Sequence, residues 1–204
     1  MKLIAHSSPK YRARTEHNAT SADLTVAWAE DFDSAGERLT KKLAGDKYLA
    51  THLSTDPVHA ARILYKQCRD RGVRVLNIAG NGIYSLSDKG WSQGTLNFWV
   101  YQVLALVHKH YPLEMVISGG QTGVDFAGGV AAEVLGLNPV MTFPKDFLQR
   151  TLTVHDFTQT EANVMAEVER QVEDLKLRIQ AYEQEHVAKV AAPRSREEDS
   201  SLSR

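Results

Sequence analysis

Cysteine is almost missing from this chain: Cys68 is the only one in 204 residues. That excludes an intrachain disulfide and any metal site built from several thiolates. On its expected helix Cys68 reads as a small apolar group, not a reactive thiol. Neither sign of charge is in excess, since 24 Lys and Arg against 25 Asp and Glu leave a formal net charge of −1. Duplex-DNA binding normally rests on a concentrated basic surface, so nucleic acid is not the expected partner. No apolar run approaches the roughly 18 residues of a membrane-spanning helix. The opening "MKLIAHSSPKYRARTEH" also lacks the apolar segment of a secretory signal. No membrane partner is expected, and the cytoplasm is the expected compartment. Catalytic signatures are missing too: there is neither a Gly-x-Ser-x-Gly elbow nor a His-Glu-x-x-His pair. His108 and His110, two apart on an expected helix, do not share a face. His52 and His59 have no acidic partner at a recognisable spacing, so no metal site is expected.

What is present is a hydrophobic fraction of 43%, ordinary for a globular chain long enough for one domain. The first twenty residues are weakly patterned and read as an irregular or extended lead. Ala22–Phe32 reads as a strand, Ser34–Leu43 as a short helix and Lys47–Leu53 as a further strand. From Asp56 the pattern is regular. Asp56 is an N-cap candidate with Pro57 at the first helical position, and the helix closes at Gly72 after Arg69 and Arg71. "VRVLNIAGNG" is a short apolar strand entering a Gly-rich loop. "WSQGTLNFWVYQVLALVHKHYP" is a helix closed by Pro112, "EMVISGG" a buried strand and loop, and "VDFAGGVAAEVLG" a helix of small residues. "NPVMTFP" is another strand, and a long helix follows from about Thr158 to Val190. The alternation predicts an α/β fold: an open, mainly parallel sheet with helices on both faces, plus a long C-terminal helix. The expected division is a 1–55 extension packed on the core, a 56–157 core, the 158–190 helix and a disordered 191–204 tail. On the long helix, Val164, Val168, Val172, Leu175, Ile179 and Tyr182 form a coiled-coil-type stripe. It can pack on its own domain or on a second copy, and the charges in its later half favour a homodimer contact.

In an open α/β sheet, ligands bind where loops leave the carboxyl ends of the strands. Here such loops are "AGNG", with Gly80, Asn81 and Gly82, and "SGGQTG", from Ser118 through Gly119, Gly120, Gln121 and Thr122 to Gly123. Glycine lets backbone approach a ligand, and the following helix start offers N–H groups and a positive dipole end. AGNG can equally serve as a tight strand-to-helix turn, whereas the clustering of Gly, Ser, Thr and a following acid in SGGQTG favours an anion site. Neither is a P-loop, and neither fits the dinucleotide fingerprint. Asp125 in the first helical turn either caps the helix or meets ribose hydroxyls, a metal ion or a base edge. Lys145 and Arg150 stand where they could neutralise a phosphate, and Trp91 and Gln93 where they could meet a base. Gly128 and Gly129 are expected to let their helix lie close on the sheet.

The segment "VISGGQTGVDFAGGVAAEVLGLNPV", continued by "FPK", resembles the glycine-loop segment of the SLOG superfamily, which implies a Rossmann-like sheet. The pattern "SGGQTGVD" is most similar to its YpsA-related and molybdenum-carrier-like branch. The LOG phosphoribohydrolases and DNA-processing protein A are more distant. The resemblance covers roughly residues 73–150. It implies a nucleotide or nucleotide-derived phosphorylated ligand over both loops, with Gly80, Gly82, Gly119, Gly120, Thr122, Gly123 and Asp125 facing it. The LOG enzymes carry Pro-Gly-Gly-x-Gly-Thr-x-x-Glu with a catalytic glutamate; the order here differs and ends in Asp125. Whether the chain is an enzyme therefore stays open. The first expectation is a sensor, carrier or sequestering protein for such a ligand, whose phosphate could bring a divalent metal with it. The alternatives are a hydrolase of an N-glycosidic or phosphate bond with Asp125 catalytic, and a single-strand nucleic-acid accessory protein.

Overall fold

The computed structural model describes residues 1–150 and 152–191. Six strands form one sheet: β1 (Lys2–Ala5), β2 (Leu24–Ala29), β3 (Tyr48–His52), β4 (Val75–Gly80), β5 (Met115–Ser118) and β6 (Val140–Phe143), in the order β1-β6-β5-β4-β2-β3. Every pairing is parallel. The main helices are α1 (Tyr11–Ser21), α2 (Ala35–Ala44), α3 (Pro57–Arg71), the single turn α4 (Ile83–Leu86), α5 (Gln93–His110), α6 (Val124–Val134) and α7 (Glu161–Ala191). A short antiparallel hairpin, β7 (Gln149–Arg150) with β8 (Asp156–Phe157), follows β6. The fold is a Rossmann-like α/β sheet with a long C-terminal helix.

Local signals set the element ends. The Asp56 carboxylate accepts from the N–H groups of Val58 and His59, and Gly72 closes α3 in the left-handed conformation. Ser92 and Thr95 form a reciprocal capping box at the start of α5. Strand β2 is buried along its whole length, as a central parallel strand covered on both faces must be. Gly128 and Gly129 let α6 lie on the sheet, because added Cβ atoms would fall 2.8 Å from Ile78 and 2.4 Å from Met141.

The strand order decides where a ligand can enter. The steps β1→β2→β3 run one way across the sheet and β3→β4→β5→β6 run back. Right-handed crossovers then put α1 and α2 on one face and α3, α5 and α6 on the other. Packing follows this division: α1 touches α2, while α3, α5 and α6 touch in series and α7 lies across α5 and α6. The chain diverges to opposite faces after the neighbouring strands β2 and β4, and that is the topological switch point.

Two expectations change. The first twenty residues are not an irregular lead but β1 and α1, and residues 1–55 are not an extension on the core. They supply β1, β2 and β3 of the sheet, with β2 paired directly to β4. The earlier part of the stripe on α7 packs on its own domain, one of the two arrangements expected: Val164, Val168, Val172 and Leu175 are buried in the core, and Ile179 packs beside them. Tyr182 is exposed and meets Phe98 edge-on at 5.4 Å. The expected tail beyond Ala191 lies outside the described residues. Among the described residues no helix is long and apolar enough to cross a membrane.

Candidate functional site

A cavity of about 310 Å³ opens at the switch point. Its floor is the end of β4 with Gly80, Asn81 and Gly82; its walls are α1 and the start of α2; Asp125, Gln121 and Arg150 close it from the β5 and β6 side. The size is at the lower end of small-molecule sites, which run from roughly 300 to 1,000 Å³.

The two glycine loops are brought together and bonded to each other. Gly82 and Gly123 form an antiparallel bridge, with Ile83 N–H donating to the Thr122 carbonyl and Val124 N–H to that of Asn81. The Gln93 amide clamps both backbone groups of Gly123, donating to its carbonyl at 3.0 Å and accepting from its N–H at 2.7 Å. Phe126 N–H donates to the Gln121 carbonyl. The Gln121 side chain binds the backbone of Leu148 and Arg150, Thr122 Oγ1 donates to the Arg150 carbonyl, and Gln149 donates to that of Gly120. The start of α6, where the anion was expected, is thus largely answered by the protein's own oxygens.

Asp125 does not cap α6. It is buried and bonds Arg14 of α1, Nη1 to Oδ2 at 2.7 Å, and also accepts from the Gly80 N–H. Burial raises its carboxyl above the ordinary value, and Arg14 and the Gly80 N–H pull the other way. Arginine cannot shed its charge, so a neutral Asp125 would leave a buried cation uncompensated. The pair therefore stays ionised. It also explains Gly119, whose added Cβ would fall 1.4 Å from Arg14 Nη1.

Of the expected residues, Gly80, Asn81, Gly82, Gln121 and Asp125 line the cavity, while Ser118, Gly119, Gly120, Thr122 and Gly123 stand behind it and Lys145 lies exposed outside it. Asn81 also fixes the loop into α2, its amide accepting from the N–H groups of Glu30 and Asp31 and donating to the Asp31 carbonyl. Trp91 donates to Glu30, so it braces the same loop. Arg150 reaches the cavity mouth, bonded twice to Asp156 and lying over the rings of Tyr11 and Tyr84 at 5.4 and 5.7 Å. Tyr11 is pushed up to about 12, first by burial and then by Asp156.

Sequence reasoning missed the wall formed by α1 and α2. Arg14 and Asn18 are one helical turn apart on α1 and face inward. Ser34-Ala-Gly-Glu37 has the spacing of a capping box, and Ser34 does accept from the Glu37 N–H. The Glu37 carboxyl, however, lies buried at the cavity, its Oε2 without a partner. Burial, then Asp125 and Asp31, push it up to about 8. Among the described residues the first-turn N–H groups of Ala35 and Gly36 in α2 meet no acceptor, and both residues line the cavity. Among the described residues no three His, Cys, Asp or Glu side chains gather as a metal-ligand set. Compared with known proteins, the chain matches no family model and shows no significant match to a curated sequence.

Proposed function

We propose that this protein binds a nucleotide or nucleotide-derived phosphorylated small molecule in the crevice at the β2/β4 switch point. The observation that carries the reading is the start of α2. It presents free N–H groups and a positive dipole end to a cavity at the carboxyl ends of parallel strands. Arg150 at the mouth adds a second positive group once it leaves Asp156. The phosphate position moves accordingly, from the SGGQTG loop to the loop after β2. The resemblance of "SGGQTGVD" to the SLOG superfamily points to the same ligand class, with that loop acting as the rigid support behind the crevice. The role is sensing, carriage or sequestration.

Gly36→Asp tests this. An added Cβ at Gly36 meets nothing within 4 Å, and an acid in a first helical turn favours the helix. A nucleoside 5′-monophosphate should raise the Tm of the wild type, and Gly36→Asp should abolish that rise while leaving the unliganded Tm unchanged or higher. No rise with any nucleotide in the wild type contradicts the proposal.

One observation favours a second reading, hydrolysis of an N-glycosidic or phosphate bond. Asp125 is held ionised while Glu37, pushed up to about 8, is protonated at neutral pH, which separates a stabilising carboxylate from a proton donor. Turnover of a nucleoside monophosphate that survives both Asp125→Asn and Glu37→Gln contradicts it.

A further inference from the structure

The crevice has a direction. Helices α1 and α2 run back from the carboxyl edge of the sheet, so Tyr11 and Ala35 stand at the mouth while Asn18 and Thr40 stand further in. The mouth offers the cationic and N–H groups already described. The inner end is different. Asn18 is 2% exposed and neither its amide nitrogen nor its amide oxygen has a partner. Glu37 is 3% exposed with Oε2 equally unanswered. Thr40 donates to the Gly36 carbonyl and Asn77 to Thr25, so these neighbours are already committed. The Arg14–Asp125 pair cancels its own charge. Buried polar atoms left unpaired carry a desolvation cost, and native proteins keep them where something else completes the bonding.

A carboxamide and a carboxylic acid share one feature: each presents a donor and an acceptor side by side. The cyclic amide and amidine edges of nucleobases present the complementary pattern. Resting on the phosphate reading above, we propose that the inner end is a nucleobase subsite in which Asn18 and Glu37 read the hydrogen-bonding edge of the base. The phosphate stays at the start of α2. A phosphorylated sugar without a base would reach the mouth and leave both side chains unanswered.

Titration calorimetry with the full chain separates the two ideas. The probes are the common nucleoside 5′-monophosphates and ribose 5-phosphate, against wild type, Glu37→Gln, Glu37→Leu and Asn18→Leu. At least one nucleotide should bind about tenfold or more tightly than ribose 5-phosphate. Each leucine variant should erase that margin, and Glu37→Gln, which keeps a neutral donor and acceptor, should preserve it. In the wild type the Asn18 side-chain NH₂ resonances should shift with the nucleotide and not with ribose 5-phosphate, a readout that stands even where a leucine variant does not fold. Equal affinity for ribose 5-phosphate and every nucleotide overturns the base subsite and leaves the phosphate site standing. A nucleotide preference untouched by the leucine variants, or unmoved Asn18 resonances, also overturns it. Binding of neither probe overturns both.

Discussion

The SGGQTG loop, behind one side of the crevice, and the α1/α2 wall, which lines another, are opposites. The loop is conspicuous in sequence yet closed in structure: Gln93, Gln149, Arg150 and the AGNG loop meet most of its hydrogen-bonding groups. The wall has no motif to attract attention, yet it holds Arg14 Nε, both amide atoms of Asn18 and Glu37 Oε2 unanswered, where the loop leaves only the buried Ser118 hydroxyl so. A glycine-rich loop at a strand end can therefore be the rigid backing of a site while the recognising groups come from another wall. The two regions meet in the Arg14–Asp125 pair, which joins α1 to α6.

Breaking that join has the largest expected effect. Arg14→Ala leaves the Asp125 carboxylate buried without its cation and should cost about 3–5 kcal/mol in urea denaturation. Gly119→Ala, on the loop side of the same pair, should be comparably damaging because its Cβ would occupy the position of the guanidinium.

Next comes Glu37, on the wall. Its carboxyl binds a proton more tightly folded than unfolded, rising from the ordinary value of 4.5 to about 8. The folded state thus holds more protons between those values, and stability falls as pH rises from about 4.5 to about 8, then levels. Glu37→Gln should flatten that slope and stabilise the protein at neutral pH by about 3 kcal/mol. Denaturation midpoints across the pH range check both.

Gln93→Ala should cost about 2 kcal/mol in the same assay, by removing the clamp on Gly123 together with its bond to Asn97. Because Asn97 continues to Gln171 on α7, Gln93→Ala and Asn97→Leu should be non-additive. The smallest effect is at Gly36, in open space on the wall. Gly36→Ala should stabilise by no more than about 1 kcal/mol, the reverse of its counterpart at Gly119.

The same contrast explains what the sequence disclosed. From Asp56 onward the elements were legible because their inward faces are apolar: α3 buries Ala60, Ala61, Leu64 and Cys68, and α5 buries Leu96, Val100, Val103, Leu104 and Val107. Helix α1 was not, because its buried face is Arg14, Asn18 and Ala19. It faces a polar crevice as much as a core, and hydrophobic periodicity cannot register such a helix. With α1 unread, the front portion looked like an appendage, although β2 is an interior strand paired to β4 and β3. The site was half legible for a related reason. Glycine spacing marks where the backbone turns sharply, and it located Gly80–Gly82 and Asp125. No local pattern reports that Arg14, 111 positions before Asp125, folds over Gly119, or that a glutamate at capping-box spacing turns inward.

Backbone amide chemical shifts on titration with a nucleoside 5′-monophosphate test the central claim most directly. The account predicts that the largest changes fall on Ala35 and Gly36 at the start of α2, with Asn18 and Glu37 following and the amides of Gly123 and Val124 nearly still. Largest changes at Gly123 and Val124, with Ala35 and Gly36 unmoved, would contradict it and return the ligand to the glycine loop.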